Sequence, residues 1–257
     1  MRRMLLAAVG MLCEIAAPAW AVDGIVLIDQ NKAMAGNVTP GDTPGFPVTI
    51  TRAGSYRLAS NLVVPDANTS AIVVAANAPG VTIDLNGFSI LGPTNCVGFP
   101  LTCTPLGVGI GVHSQTPGTT VRGGTIAGMG SSGIFVTGAA ATVEDMNILT
   151  NGGDGMIVQL GTVLRNKVSR NGLNGINGGN AVISYNFVTG NRFAGISVND
   201  SIVTNNTLVV NGSVGLAASN TGFASNAFSS NNGSFANPQF TGRTPIGPNV
   251  CDGNICP

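Results

Sequence analysis

The chain has 257 residues with 11 basic and 11 acidic side chains, so its formal net charge is zero, and charged residues make up only 9% of it. Such a balance excludes the strongly basic surface on which nucleic-acid binding depends. Glycine is abundant, with 37 copies, but the aliphatic residues recur at ordered positions, which is not typical of a disordered chain.

Residues 1–21 predict an export signal. Two arginines precede an apolar run over residues 4–12, and small residues then frame a cleavage point after Ala21. No later apolar stretch approaches the roughly 20 residues that a membrane helix needs. We therefore expect a mature chain that begins near Val22, has no integral membrane segment, and is secreted or periplasmic.

Residues 22–70 lack a regular repeat and are expected to form an N-terminal cap. They include a strand-like run at residues 54–58. A cap is needed because the first coil of the repeat that follows would otherwise expose apolar side chains and unpaired strand edges. Just beyond the cap, Asp84 in IDLNG is expected to fasten a turn through backbone hydrogen bonds.

Two close pairs of cysteines predict local disulfides. Cys96 and Cys103 lie in residues 93–106, which interrupt the repeat and are expected to project as a loop, and Cys251 and Cys256 lie near the end of the chain. The chain has five cysteines, and removal of the predicted signal with Cys13 leaves four. An even number of cysteines in an exported chain favours disulfide pairing. Pairing between the loop and the tail stays open as an alternative, because spacing alone does not fix connectivity.

A 20-residue repeat dominates residues 71–234. Glycine and a following aliphatic residue recur at that interval as Gly155-Met156, Gly175-Ile176, Gly195-Ile196 and Gly215-Leu216. Short β-rich runs between turn residues fill each interval. A chain with this period is a solenoid of stacked coils, about 20–22 residues each. The period fails beyond it, so residues 235–257 are expected to form an irregular closing tail.

Asparagines follow the same interval in two series, which are Asn151, Asn171, Asn191, Asn211 and Asn231, and Asn166, Asn186, Asn206 and Asn226. Val163 and Val168 both belong to apolar columns yet lie an odd number of residues apart, so strand alternation must break between them. Asn166 lies in that gap, and asparagine tolerates left-handed backbone. We expect these asparagines at corners, with their amides hydrogen-bonded from coil to coil as a ladder.

These coils, together with the entry segment GVTIDLNGFSILG at residues 80–92, resemble the right-handed parallel β-helix repeat proteins of the pectate-lyase-like superfamily, particularly the exported bacterial type. The resemblance covers most of the mature chain. It implies an all-β fold, a single-stranded right-handed parallel β-helix. It does not select an activity, since lyases, hydrolases, epimerases, tail spikes and adhesins share this scaffold.

Five charged residues on outward or corner positions are the candidate catalytic group: Arg165, Lys167, Arg170, Glu144 and Asp145. Arginine can make paired contacts with a uronate carboxylate, and a lysine of lowered pKa can abstract a proton. The alternative, which we favour, is structural. Asp145 and Arg165 occupy matching corners of neighbouring coils, where a solvated ion pair explains both.

Arg192, Tyr185 and Phe187 are the candidate ligand-binding residues. The two aromatic side chains fall on adjoining corner and strand positions, where they can stack on a pyranose ring. No aromatic column repeats along the coils, so we expect a local patch and not a long platform.

No metal site or cofactor is predicted. The calcium-binding aspartates implied by resemblance to pectate lyases are not visible as a motif, and calcium needs 6 to 8 oxygen ligands. A zinc site is disfavoured because His113 is the only histidine and no C-x-x-C pair occurs. His113 alone, without a partner, is a weak candidate for proton transfer.

The leading functional hypothesis is a non-catalytic scaffold that interacts with a polysaccharide or a cell-surface glycan. Polygalacturonase-type relatives imply an Asn-Thr-Asp run and a Gly-His-Gly, and uronate epimerases an Asp-Pro-His, none of which occurs here. Two alternatives stay open. One is a divergent polysaccharide lyase acting on uronate-containing glycans, and the other is a structural module of a cell-surface assembly.

Overall fold

The structure, a computed structural model, describes residues 24–233, 238–242 and 244–256, so the predicted export signal at residues 1–21 lies outside the described residues. One short α-helix, α1 (Gln30–Ala35), and one 3-10 turn (Asn231–Gly233) accompany the strands. Neither of these helical segments has the length or apolar character to cross a bilayer. The strands are β1 (Val26–Ile28), β2 (Val48–Ile50), β3 (Gly54–Leu58), β4 (Leu62–Val63), β5 (Ile72–Val74), β6 (Val81–Asp84), β7 (Ser89–Leu91), β8 (Asn95–Val97), β9 (Thr102–Thr104), β10 (Val112–Ser114), β11 (Thr120–Ala127), β12 (Ile134–Val136), β13 (Ala141–Leu149), β14 (Met156–Gln159), β15 (Gly161–Leu164), β16 (Lys167–Ser169), β17 (Ile176–Gly179), β18 (Val182–Ser184), β19 (Phe187–Thr189), β20 (Ile196–Asn199), β21 (Ile202–Thr204), β22 (Thr207–Val209), β23 (Leu216–Ser219), β24 (Gly222–Ala224), β25 (Ala227–Ser229), β26 (Phe240–Thr241), β27 (Val250–Cys251) and β28 (Asn254–Ile255).

Each regular coil contributes one strand to each of three faces. In the coil that begins at Met156, β14 belongs to face A, β15 to face B and β16 to face C, and each pairs in parallel with its counterparts one coil before and after. Face A is a nine-stranded sheet, while faces B and C belong to a second, larger sheet. The predicted all-β, right-handed parallel β-helix is confirmed.

The core consists of apolar columns that run along the solenoid. Val163 of face B, Val168 of face C and Met156 of face A all have no solvent exposure, and so do their counterparts in neighbouring coils. Each inward side chain therefore packs on the equivalent residue of the next coil, and burial of this apolar area is the main stabilising term.

The coils from β11 to β25 turn their corners through residues with left-handed backbone. The corner between faces B and C uses Asp145, Arg165, Tyr185, Asn205 and Ser225, all with φ between 54° and 59°. The expectation that the ladder asparagines adopt this conformation was wrong, because the residue before each asparagine adopts it instead. The asparagine is thereby turned inward, where its amide replaces the strand hydrogen bonds that the corner interrupts.

Two buried ladders of asparagine side chains join the coils. In one ladder, Asn191 Oδ1 accepts hydrogen bonds from the backbone N (3.1 Å) and Nδ2 (2.9 Å) of Asn171. In the other, Asn186 Oδ1 accepts from the corresponding atoms of Asn166, both at 2.9 Å. Because one oxygen satisfies two buried donors of the preceding coil, each asparagine ties coil to coil.

The solenoid extends into the region expected to be a less regular cap. Strand β1 pairs with β3, and β2 pairs with β5, all in parallel and in register with later coils. Helix α1 follows β1, and the side chain of Asp29 caps it by accepting from Lys32 N at 2.8 Å. The cap therefore contains coil strands that its sequence period does not reveal.

Both predicted local disulfides are present, Cys96–Cys103 and Cys251–Cys256. The first closes an antiparallel hairpin of β8 and β9, which we call the Cys hairpin (residues 94–106). The second closes the β27–β28 hairpin at the other end of the chain.

The tail keeps the register of the coils although the sequence period ends. Strands β26 and β27 pair in parallel with β23 and β25. Asn249 Oδ1 accepts from the backbone N of Asn226 at 3.0 Å, and Gln239 Oε1 accepts from that of Asn231 at 3.0 Å. Both ladders are thus continued by residues outside the 20-residue interval.

Replacing a buried ladder residue should destabilise the fold strongly. Asn191→Ala leaves the backbone N and Nδ2 of Asn171 without their acceptor, at a cost of about 3 kcal/mol in unfolding free energy. Asn199→Ala is the matched control, since that exposed side chain donates to Asp200 at the surface. Urea unfolding should show a lowered midpoint only for Asn191→Ala, and equal midpoints for the two variants would contradict the role of the ladder.

Relieving a strained corner should stabilise the fold. Val210 is β-branched yet has a φ of 55°, while Gly190 occupies the same corner one coil earlier. Val210→Gly should raise the unfolding free energy by up to about 1 kcal/mol, since left-handed strain costs more than the added chain entropy. The control Val209→Gly, in strand β22, should lower it. Thermal unfolding that ranks the two variants in the opposite order would disprove the strain.

Candidate functional site

A groove of about 410 Å³ lies along the corner between faces B and C. Its lining residues are contributed by neighbouring coils and comprise Gly87, Gly123, Gly124, Thr125, Asp145, Met146, Asn147, Arg165 and Lys167. We call it the corner groove. Three of the five candidate catalytic residues, Asp145, Arg165 and Lys167, thus line one depression.

Glycines create the floor of this groove. Gly123 takes the left-handed corner position that Asp145 and Arg165 take in the next coils, with a φ of 73°. A Cβ on the following residue, Gly124, would lie 2.4 Å from Leu85 Cβ. Gly124 therefore allows close approach to the previous coil, while the absence of a side chain at Gly123 recesses the surface beside the charged corner.

Arg165 is held by two carboxylates on the preceding coil. Its Nε lies 2.8 Å from Asp145 Oδ1, and its Nη2 lies 2.8 Å from Asp145 Oδ2 and 2.9 Å from Glu144 Oε2. These hydrogen bonds lower the pKa of the Asp145 carboxyl below its ordinary value and raise the pKa of Arg165. The guanidinium is occupied in a paired geometry, which agrees with the structural role favoured from the sequence.

Glu144 also ends a row of alternating charges on face B. Asp84 Oδ2 lies 3.3 Å from Arg57 Nη2 and 3.4 Å from Arg122 Nη2, and Arg122 is in register with Glu144. Asp84 Oδ1 accepts from Asn86 N at 2.8 Å, the turn contact expected from the sequence. The contacts of Asp84 with Arg57 and Arg122 were not predicted from the sequence. They depend on the register between coils of unequal length, which the sequence interval does not indicate.

Lys167 lines the groove, and two aromatic residues, Tyr185 and Phe187, follow in the next coil. Lys167 and Phe187 are in register on neighbouring strands of face C. Tyr185 follows Arg165 on the corner and is 62% exposed, and Phe187 is 44% exposed. Among the described residues, Lys167 forms no ion pair. Lys167, which has no ion-pair partner in the described part of the chain, is thus the strand neighbour of the exposed aromatic residue Phe187.

The structure places Arg170 and Arg192 away from this groove. Arg170 Nη2 donates to Cys96 O at 3.2 Å, so it anchors the Cys hairpin. Arg192 lies over the Phe193 ring, 5.4 Å from its centroid. Arg192 also lines a second groove, of about 360 Å³, that runs beneath the Cys hairpin past Cys103, Leu106, Gly152 and Gly172.

His113 lies on face A, apart from the charged corner. Its ring makes an edge contact with Phe135, with centroids 5.1 Å apart, and burial lowers its pKa. Within residues 24–233, 238–242 and 244–256, no three His, Cys, Asp or Glu side chains group as metal ligands would. The predictions for metals and calcium stay untested.

Parallel coils with apolar columns inside and polar corners outside define a right-handed β-helix. The family model described as right handed beta helix region matches residues 103–242, and the chain belongs to that family. No curated protein sequence matches the chain.

Two solved structures are similar in fold. The periplasmic alginate epimerase AlgG is 13% identical, with a TM-score of 0.55, and the match covers 87% of this chain and 66% of the epimerase. The pectate lyase Pel9A is 15% identical, with a TM-score of 0.51, and the match covers 80% of this chain and 63% of the lyase. The chain thus spans just under two thirds of each relative, and identities this low show the fold alone.

The Asp145–Arg165 pair should contribute to stability only when Asp145 is ionised. Because the folded state lowers the pKa of Asp145, this contribution is present above the ordinary value of 3.8 and is lost as the pH falls through the lower folded value. Asp145→Asn should therefore lower the urea midpoint slightly at pH 7, and the difference from the natural protein should shrink as the pH falls below 3.8. A midpoint difference that does not shrink at acidic pH would exclude an ionic cause.

Proposed function

We propose that the protein is an exported, non-catalytic β-helix scaffold that binds a polysaccharide along the corner groove. The observation that carries the proposal is the pairing of Lys167 with Phe187, in register on face C, with Tyr185 exposed on the adjoining corner. An ammonium group and aromatic rings at the edge of a recess can hold a carboxylate and the apolar face of a sugar.

The dimensions of the groove support this proposal. Successive strands are spaced by roughly 4.8 Å, so Lys167 and Phe187 would contact neighbouring parts of one bound chain. The glycine floor around Gly123 leaves room for a sugar ring, and Asn147 and Thr125 add hydrogen-bonding groups. Acidic glycans are favoured over neutral ones because Lys167 has no carboxylate partner of its own among the described residues.

Export is part of the same proposal. The two disulfides are stable in an oxidising compartment, and the expected signal at residues 1–21 leads to one. A polysaccharide outside the cytoplasm would be accessible to the corner groove there.

The charge state of Arg165 supports binding over catalysis. Its guanidinium is neutralised by Asp145 and Glu144, so it is not free to clamp a uronate carboxylate. The lyase alternative then depends on Lys167 as the base, and a lyase would release unsaturated uronates that absorb ultraviolet light.

The proposal is tested by measuring binding to alginate, polygalacturonate and a neutral glucan. Lys167→Ala and Phe187→Ala should each weaken binding to the acidic glycans about tenfold. The first variant loses a charge-assisted contact, and the second loses a ring that the bound sugar would cover. The matched controls are Lys32→Ala, on α1, and Phe99→Ala, on the Cys hairpin, and both should bind like the natural protein.

Two outcomes would contradict the proposal. The first is no binding to any of the glycans, or binding that the Lys167 and Phe187 variants leave unchanged. The second is the appearance of ultraviolet-absorbing products that Lys167→Ala abolishes, which would replace the scaffold with the lyase.

A further inference from the structure

A cavity separate from both grooves lies at the N-terminal end of the solenoid. It measures about 530 Å³ and is lined by Val26, Lys32, Asn37, Val38, Thr39, Pro40, Arg52 and Tyr56. This volume is within the range of pockets that bind small molecules. We call it the end cavity.

The end cavity continues an apolar column of the core. Val26 is in register with Tyr56, which is in register with Ile83, and the column continues through Val121. Tyr56, Ile83 and Val121 are fully or almost fully buried, while Val26, in the first described strand, is only partly buried. An apolar ligand above Val26 would therefore cover the column as another coil would.

Two hydroxyl groups of the cavity wall are satisfied within the protein. The Tyr56 hydroxyl donates to Arg52 O at 2.8 Å, and the Thr39 hydroxyl donates to Thr49 O at 2.7 Å. These two hydroxyl groups therefore need no hydrogen-bond acceptor from a ligand. Val26, Val38 and Pro40 supply the apolar part of the lining, and Asn37 adds one exposed amide side chain.

Two cations complete the cavity. Lys32 is partly exposed and Arg52 is exposed, and neither forms an ion pair with any residue that the structure describes. Asp29 and Asp42, the carboxylates nearest to them in sequence, accept backbone hydrogen bonds instead, from Lys32 N and from Val38 N. The cavity thus combines an apolar interior with two cationic side chains that form no ion pair within the described part of the chain.

We infer that the end cavity binds an alkyl chain that ends in an anionic group, such as a fatty acid or the acyl chain of an anionic lipid. The alkyl chain packs on Val26, Val38 and the ring of Tyr56, and the anionic group lies between Lys32 and Arg52. This site is independent of the glycan groove, so either proposal can fail without the other.

The inference is tested by titrating octanoate, decanoate and dodecanoate, below their micelle concentrations, into the protein by calorimetry. Affinity should rise about fourfold per added methylene until the cavity is filled, with one site per chain. Dodecanol, which lacks the charge, should bind about tenfold more weakly than dodecanoate.

Charge variants distinguish binding at a specific site from non-specific adsorption. The double variant Lys32→Gln/Arg52→Gln should bind dodecanoate as weakly as dodecanol while its dodecanol affinity stays unchanged. Lys167→Gln, the matched control at the corner groove, should leave both affinities unchanged. Circular dichroism should show that each variant is folded.

A vesicle experiment distinguishes the two sources of the ligand. Sedimentation with phosphatidylglycerol vesicles, lost in the double variant, would assign the site to membrane lipid, whereas dodecanoate binding without sedimentation would assign it to a free fatty acid. The inference is overturned if dodecanoate does not bind, if affinity does not depend on chain length, or if the double variant keeps its preference for dodecanoate over dodecanol.

Discussion

The stacking of the coils depends on hydrogen bonds in which an asparagine side-chain oxygen accepts from the backbone of the preceding coil. At the ladder corners the strand pattern is interrupted, so buried backbone donors lose their partners in the neighbouring strand. Asn171, Asn191 and Asn211 replace those partners with side-chain oxygens, and none of the three is exposed. Because an unsatisfied buried donor is costly, coils must stack in register, and the apolar columns follow.

A fixed interior leaves the corners free to differ. The corner between faces B and C carries glycine, aspartate, arginine and tyrosine in successive coils at Gly123, Asp145, Arg165 and Tyr185, all with positive φ. The side chains of Asp145, Arg165 and Tyr185 are exposed, while the ladder holds the backbone at each corner. Charge and aromatic character are therefore placed side by side at coil spacing without any change in the core, which is how a recognition surface arises on a repetitive scaffold.

Much of the fold was predictable because the residues that stack on one another recur in the sequence at the length of one coil. Matching apolar residues such as Val163 and Ile183, and the ladder asparagines, indicate coil length directly, and the Asp145–Arg165 pair follows from the same interval. Other features have no such signal. Gln239 replaces an asparagine of the ladder at a different spacing, and the floor at Gly123 and Gly124 is recognisable only once the coils are superposed, since abundant glycine has many roles.

The Cys hairpin shows how an insertion is accommodated on such a scaffold. It lies over a column of coil positions without side chains, where a Cβ on Gly152 would lie 2.8 Å from Leu106 Cδ2 and one on Gly172 would lie 3.0 Å from Cys103 Sγ. In the next coil the column carries Arg192, which lines the open end of the groove beneath the hairpin. The hairpin therefore needs this column of glycines beneath it, and Arg192 marks the coil at which the column ends.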